Sequence, residues 1–286
     1  MRRTCLALAA LAVGATPALA APTIATPVAP WQASFEGGVC RMQRAFESGG
    51  EPHLLILEQN APGPAIAIAM AGPSLAGLSP DVPLRVSFAA DHAGFDKRAQ
   101  IEPNRQFGHV AVVHGVWLDT RKPDAAGNPA RIDTKAAQGV ERIAVSQGDG
   151  SMSFATGPLA EAATALNDCT ARIMSSWGLD PAAQHGLQRS AAPADTGRLV
   201  KELRKAYTRT ALRTLQQGVI DLVVFTDPSG AATDCKMLVA TGYDELDRSM
   251  CAAAVKERFT PAVDADGKAV ASFWRMRTSL RVGFSG

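Results

Sequence analysis

The stretch from 218 to 282 constrains the backbone more tightly than any other part of the chain. Ile220, Leu222 and Val224 alternate with Asp221 and Val223, Asp227-Pro-Ser-Gly230 carries turn chemistry, and Cys235, Met237 and Val239 continue on one face of a returning strand. The period then changes. Over 243–257, Leu246, Met250, Ala253 and Ala254 share one helical face, with Cys251 at the edge of that stripe. Phe259 and Pro261 end the helix, because proline disfavours helical backbone at the preceding Thr260. A last strand places Val270, Ser272, Trp274, Met276, Thr278, Leu280 and Val282 on one face, and Ala271, Phe273, Arg275, Arg277, Ser279 and Arg281 on the other. Strand, turn, strand, helix and strand in this order predict an antiparallel sheet packed with helix. Read as one strand over 268–284, the last element exceeds the usual length of about 5–6 residues, so part of its backbone is expected to lack a partner within the chain.

These residues, together with Leu246-Asp247, Arg258-Phe259-Thr-Pro261-Ala262 and Gly267, resemble the C-terminal domain of the TonB family over roughly 200–286. The resemblance implies a three-stranded antiparallel sheet with helices on one face and no catalytic machinery. It also implies an exposed sheet edge that receives a short receptor peptide as an added strand. Phe273, Arg275, Arg277, Ser279 and Arg281 are then the candidate binding residues. The arginines either guard an exposed edge against aggregation or select acidic groups in the ligand. Tyr207-Thr208 stands where the family usually has Tyr-Pro before the first strand. The expected partner is an envelope protein or an outer-membrane receptor peptide, bound by a monomer or by a strand-exchanged dimer.

At the other end, Arg2 and Arg3 precede an apolar run from Cys5 to about Ala15, followed by Pro17 and Ala18-Leu19-Ala20. This is the layout of a cleavable signal peptide over 1–20, and the run is about half the ~20 residues of a bilayer span. Export to the periplasm or beyond is expected, with no membrane span after cleavage. Removal of 1–20 lowers Lys+Arg from 29 to 27 against 27 Asp+Glu, a formal charge of zero. A neutral chain argues against nucleic acid, whose phosphates call for a clustered positive excess.

Four cysteines remain: Cys40, Cys169, Cys235 and Cys251. An even number in an exported chain reads as two disulfides, and four cysteines allow three connectivities. Without a C-x-x-C pair, zinc and thioredoxin-like chemistry are disfavoured. Cys169 lies at the inward edge of a helical stripe formed by Leu159, Ala163, Leu166, Thr170, Ile173 and Trp177, where it can reach a strand bearing Cys40. Cys251 can likewise reach Cys235. Each domain then holds its own bridge.

Between 31 and 155 the chain reads as short strands. Ala33 and Phe35, Leu54 and Ile56, Ile66, Ile68 and Met70, and Leu84, Val86 and Phe88 keep a period of two, with further candidates at 109–118, 142–146 and 152–155. The fold class is thus α+β: a tail at 21–30, a mainly antiparallel β domain closed by a helix over 31–185, a linker at 186–198, and the TonB C-terminal-like domain over 199–286. Trp31, Cys40-Arg41 and Phe46 also resemble a pattern in exported proteins that end in such a domain.

Catalytic patterns are thin. The segment Gly72-Pro73-Ser74-Leu75-Ala76 approaches a nucleophile elbow but has Ala76 in the place of the second glycine. His109 and His114, five apart on a strand, point to opposite faces, and Asp91, His92 and Asp96 read as a polar loop. No phosphate-binding glycine motif occurs, and no cofactor is expected. The leading expectation is an exported non-catalytic binding protein, linked to TonB-type transport. The alternatives are an envelope hydrolase with its site in the first domain, and a self-associating assembly protein.

Overall fold

The computed structural model describes residues 23–88, 94–118, 130–148, 150–216 and 218–280, so the signal peptide expected at 1–20 lies outside the described residues. Two hydrophobic cores organise the chain, one drawn from 25–173 and the other from 199–259. Among the described residues no helix is long and apolar enough to cross a membrane.

Eleven strands surround the first core: β1 Thr23–Pro27, β2 Gln32–Glu36, β3 Val39–Ser48, β4 Glu51–Gln59, β5 Ala65–Ala71, β6 Leu84–Ser87, β7 Phe95–Lys97, β8 Ala99–Asn104, β9 Gly108–Trp117, β10 Ile143–Gln147 and β11 Gly150–Phe154. Their spatial order is β7-β6-β10-β11-β1-β3-β4-β5-β9-β8, with β2 hairpinned onto β3. Only Arg98 separates the two end strands, β7 and β8, along the chain, so the sheet curls back on itself. Across that seam Lys97 Nζ donates to Gly115 O on β9 at 2.8 Å. The opposite corner is β1. Its residues 23–25 pair with β11 in parallel, and Thr26 and Pro27 pair with β3 antiparallel. Residues 21–30, expected as a tail, therefore contain a strand of the sheet, and the sheet is not wholly antiparallel. Ala25 is buried while its neighbour Ile24 is exposed, a pattern too short to register as a strand from sequence.

Helices α1 Thr134–Gln138 and α2 Ala160–Ser176 pack on this sheet. As the 3.6-residue period predicts, α2 buries Ala163, Leu166, Thr170 and Ile173 on one side, and Leu159 just before it. Cys169 joins Cys40 of β3 with a Cα–Cα distance of 6.0 Å. The buried Asn167 amide accepts from Ile132 N at 2.8 Å and donates to Ile132 O at 3.0 Å, which ties the segment before α1 to α2.

The rest comprises α3 Pro181–His185, β12 Ala192–Pro193, α4 Thr196–Ala206, α5 Arg209–Arg213, β13 Gly218–Thr226, β14 Ala232–Val239, α6 Asp244–Ala254, β15 Phe259–Thr260, β16 Ala262–Val263, β17 Ala269–Val270 and β18 Ser272–Leu280. The sheet β14-β13-β18 is antiparallel. Ile220, Leu222 and Val224 pack against Leu199 and Leu203 of α4 and Leu246, Met250 and Ala254 of α6. Cys235 and Cys251 bridge β14 to α6 over 5.4 Å between Cα atoms. Gly230 closes the β13–β14 turn at φ +79°, where a Cβ would lie 2.1 Å from Phe259 O. Only glycine fits there.

Two boundaries differ from expectation. The long last strand is broken at Ala271: β17 pairs with β16, and all nine residues of β18 face a partner on β13. Nor is 186–198 a free linker. Gln188 N and Arg189 N both donate to Val263 O, β12 pairs with β15, and α4 begins at Thr196.

Candidate functional site

Strand β13 reads Gly-Val-Ile-Asp-Leu-Val-Val-Phe-Thr, and both of its faces are covered. One face meets α4 and α6. On the other, Asp221 and Val223 are fully buried although they lie on the side that alternation marks as outward. Opposite them on β18 are Arg277 and Arg275, and Phe225 faces Phe273. This second face is turned toward the first domain.

Trp177, at the end of α2, stands edge-on to both Phe225 and Phe273, with ring centroids 5.5 and 5.4 Å away. It is thus an anchor between the domains as well as a member of the first core's periphery. From α3, the buried Gln184 donates to Ala271 O at 2.9 Å and accepts from Ser272 Oγ at 2.7 Å.

Beside the aromatic contact lies a charged network. Arg275 Nε donates to Asp221 Oδ1 at 2.9 Å, while its Nη2 donates to Asp221 Oδ2 at 2.7 Å and to Asn60 Oδ1 at 2.6 Å. Arg277 Nη1 also reaches Asp221 Oδ2 at 2.7 Å, and Asn60 Nδ2 donates to the same oxygen at 3.0 Å. Burial alone would raise the Asp221 pKa. The hydrogen bond and charge of Arg275, with Asn60 and Arg277, outweigh burial and hold the carboxyl below its usual value. Arg277 Nη2 lies 3.3 Å from His114 Nε2 on β9. A guanidinium only donates, so His114 Nε2 must be the bare ring nitrogen. Burial first, and then the Arg277 charge, lower the His114 pKa from 6.5 to about 4. The imidazole is neutral at pH 7.

Arg275 and Arg277 therefore do not line an exposed polar face, as the sequence predicted. They retain 22% and 26% of their side-chain exposure because the first domain covers the face they occupy. Phe273 packs on Trp177, Ser279 pairs in register with Val219, and Arg281 lies outside the described residues. The sheet edges carry no further strand: among the described residues β18 pairs with β13 alone, and β14 on the far side pairs with β13 alone. A cavity of about 430 Å³ adjoins the start of β18, bounded by 58–67 and 114–117 of the first domain and by 184–192.

The other sequence candidates lie elsewhere. Ser74, on a 3-10 turn over Pro73–Leu75, is 3.0 Å from His53 Nε2, and His53 Nδ1 is 3.0 Å from Glu51 O. Since a carbonyl only accepts, Nδ1 carries the proton and Nε2 accepts from Ser74 Oγ. Gly72 permits this pair, because a Cβ there would lie 2.0 Å from His53 Cδ2. His53 is buried and Ser74 is exposed. His109 Nδ1 is buried without a hydrogen bond among the described residues. Asp96 pairs with Arg85 at 3.3 Å, and Asp91 and His92 lie outside the described residues. Asn60 was not singled out from sequence, Asp221 was read only as an alternating strand position, and His114 only as a residue pointing away from His109. The one signal for the network was an acid inside the apolar run of β13, two residues from Val223.

Residues 204–277 match the family model for the Gram-negative bacterial TonB protein C-terminal. The match runs from the last turn of α4 through most of β18 and supports the resemblance that the motifs carried. No curated protein and no solved structure matches the chain. A TonB C-terminal domain and two disulfides together fit an envelope protein outside the reducing cytoplasm.

Proposed function

We propose that this is an exported, non-catalytic envelope protein whose TonB C-terminal domain recognises an extended protein segment by strand addition along β18. The carrying observation is that β18 is paired over its whole length on one side and, among the described residues, meets no strand on the other. Backbone amides and carbonyls of 273–280 would form the new ladder, and side chains of the incoming segment would supply selectivity. Because Phe273, Arg275 and Arg277 are held by the first domain, they fix the strand in place for pairing and leave its edge for the ligand. The segment expected is an outer-membrane receptor peptide of the kind that TonB-type transport uses.

Titration of the oxidised full-length protein with extended receptor peptides, followed by amide shifts, tests the reading. Shifts running along 273–280 support it. Peptides that leave those amides unchanged refute it, and a dimer seen by light scattering would then favour self-association through the same edge. A hydrolase reading has the Ser74–His53 pair behind it. Labelling of Ser74 by a fluorophosphonate, lost on His53→Gln, would support that alternative.

A further inference from the structure

We infer that the cavity between the two domains binds a carboxylate monoanion with an apolar body, held by the guanidiniums of Arg275 and Arg277. The volume of about 430 Å³ is that of a small-ligand site, which typically spans ~300–1,000 Å³. Its walls divide chemically. Pro62, Trp117 and Trp274 offer apolar surface, and Arg275 and Arg277 offer charge.

Two guanidiniums face one buried carboxylate, Asp221, so one positive charge remains uncompensated in the network. Neither neighbour cancels it. Glu58, also on the wall, is engaged by Arg41 Nε at 2.5 Å, and His114 is neutral at pH 7. Hydrogen-bond capacity remains as well. Arg275 uses Nε and Nη2, and Arg277 uses Nη1 and Nη2; among the described residues Arg275 Nη1 and Arg277 Nε have no partner. A planar carboxylate is the group that guanidinium donors match best, and the partly desolvated setting strengthens the pair. A dianion would overcompensate the single spare charge beside Asp221. The apolar wall asks for a hydrocarbon or aromatic body.

This chemistry has two sources, a polypeptide C-terminus or a free organic acid. The site adjoins the start of the β18 edge, so it shares the amides of 272–277 with strand addition; the comparison of acid with amide, and shifts at 278–280, separate the two readings.

The test is calorimetric titration of the oxidised full-length protein at low salt with three probes: acetyl-Leu-Phe with a free C-terminus, the same dipeptide as its C-terminal amide, and 3-phenylpropionate. The free-acid dipeptide is expected to bind, with amide shifts at 60 and 272–277, and the amidated form to bind at least about tenfold more weakly. Binding by 3-phenylpropionate as well identifies a free acid as sufficient; its failure beside a binding dipeptide identifies a polypeptide C-terminus. Arg277→Gln should weaken the free acid by about tenfold or more while leaving the amide's affinity unchanged. The acid and amide comparison on the unaltered protein decides the matter even where that variant fails to fold. Equal binding of acid and amide, or no binding of either acid below about 1 mM, overturns the inference. Strand addition, by contrast, tolerates an amidated end and moves amides out to 280, so failure of one reading leaves the other testable.

Discussion

Replacing Asp221 with Asn probes the joint between the domains most directly. The carboxylate has no solvent exposure and receives hydrogen bonds from Arg275, Arg277 and Asn60. The amide keeps the shape and removes the charge, leaving two guanidiniums side by side with no anion between them. Removing one partner of a buried ion pair costs about 3–5 kcal/mol. Here the guanidiniums retain roughly a quarter of their exposure, so water screens part of the repulsion and the loss should lie near about 3 kcal/mol. Urea denaturation at pH 7, followed by tryptophan fluorescence, measures it. A second arm removes ambiguity. If unpaired positive charge is the cause, adding Arg277→Gln to Asp221→Asn should recover stability, although Arg277→Gln alone destabilises. A loss below about 1 kcal/mol, or a double variant less stable than Asp221→Asn, would refute the argument.

Other consequences are as direct. The His114 pKa is below its unfolded value, so folded and unfolded states are both neutral above about pH 6.5, and stability should fall as pH drops from there toward about 4, at no more than ~1.4 kcal/mol per pH unit for one proton. His185 is shifted in the same direction, so the pH profile of His114→Gln must be subtracted from that of the unaltered protein; identical slopes would exclude His114. The Asp221 carboxyl acts with the same sign at lower pH: its depressed pKa stabilises the fold above the unfolded carboxyl value and loses that contribution as pH falls through the folded one, a loss that Asp221→Asn should abolish in acid titrations. Ser74→Ala leaves buried His53 Nε2 without its donor and should cost about 1–3 kcal/mol, read by thermal unfolding. Opening Cys235–Cys251, whose cysteines are 16 positions apart in sequence, should cost about 3 kcal/mol, and opening Cys40–Cys169, 129 positions apart, on the order of 4–5 kcal/mol. Non-reducing peptide mapping that finds any bridge between the domains would overturn both figures.

Much of the second domain was legible because each element carried its own local signal. Turn chemistry at Asp227-Pro-Ser-Gly230, the period change at Leu246, Met250 and Ala254, and the Phe259-Pro261 stop all act within a few residues of one another. The cysteine pairs were legible for a related reason, since a stripe-edge position on a helix limits which strand it can reach. The destination of Arg275 and Arg277 was not. Alternation along β18 states which residues share a face but not what covers that face, and the cover comes from Asn60 and His114, 215 and 163 positions away. Likewise Trp177 belongs by period to the α2 stripe, yet its ring reaches Phe225 and Phe273 because the stripe ends there and the edge of the second sheet begins. The curl of the first sheet was hidden for the same cause. Nothing local tells 95–104 that it serves two opposite ends of one strand order.

The covered face bears on how recognition could work. A three-stranded sheet with helices on one side ordinarily leaves its other side to solvent, where a ligand could bind across the strands. In this protein Trp177, Asn60 and His114 occupy that side. Surface left for an extended partner is then confined to strand edges, which read backbone, and to the gap at the start of β18, which presents guanidinium donors and tryptophan rings. The first domain also removes freedom: with Phe273, Arg275 and Arg277 pinned, the register of β18 on β13 is fixed before any ligand arrives, which lowers the ordering cost of adding a strand. Trp177→Ala separates this positioning role from simple folding. It should weaken peptide binding at 273–280 while the Cys235–Cys251 bridge and the helical signal of α4 and α6 persist. Unchanged affinity in a folded Trp177→Ala variant would show that the edge is pre-set by its own sheet alone.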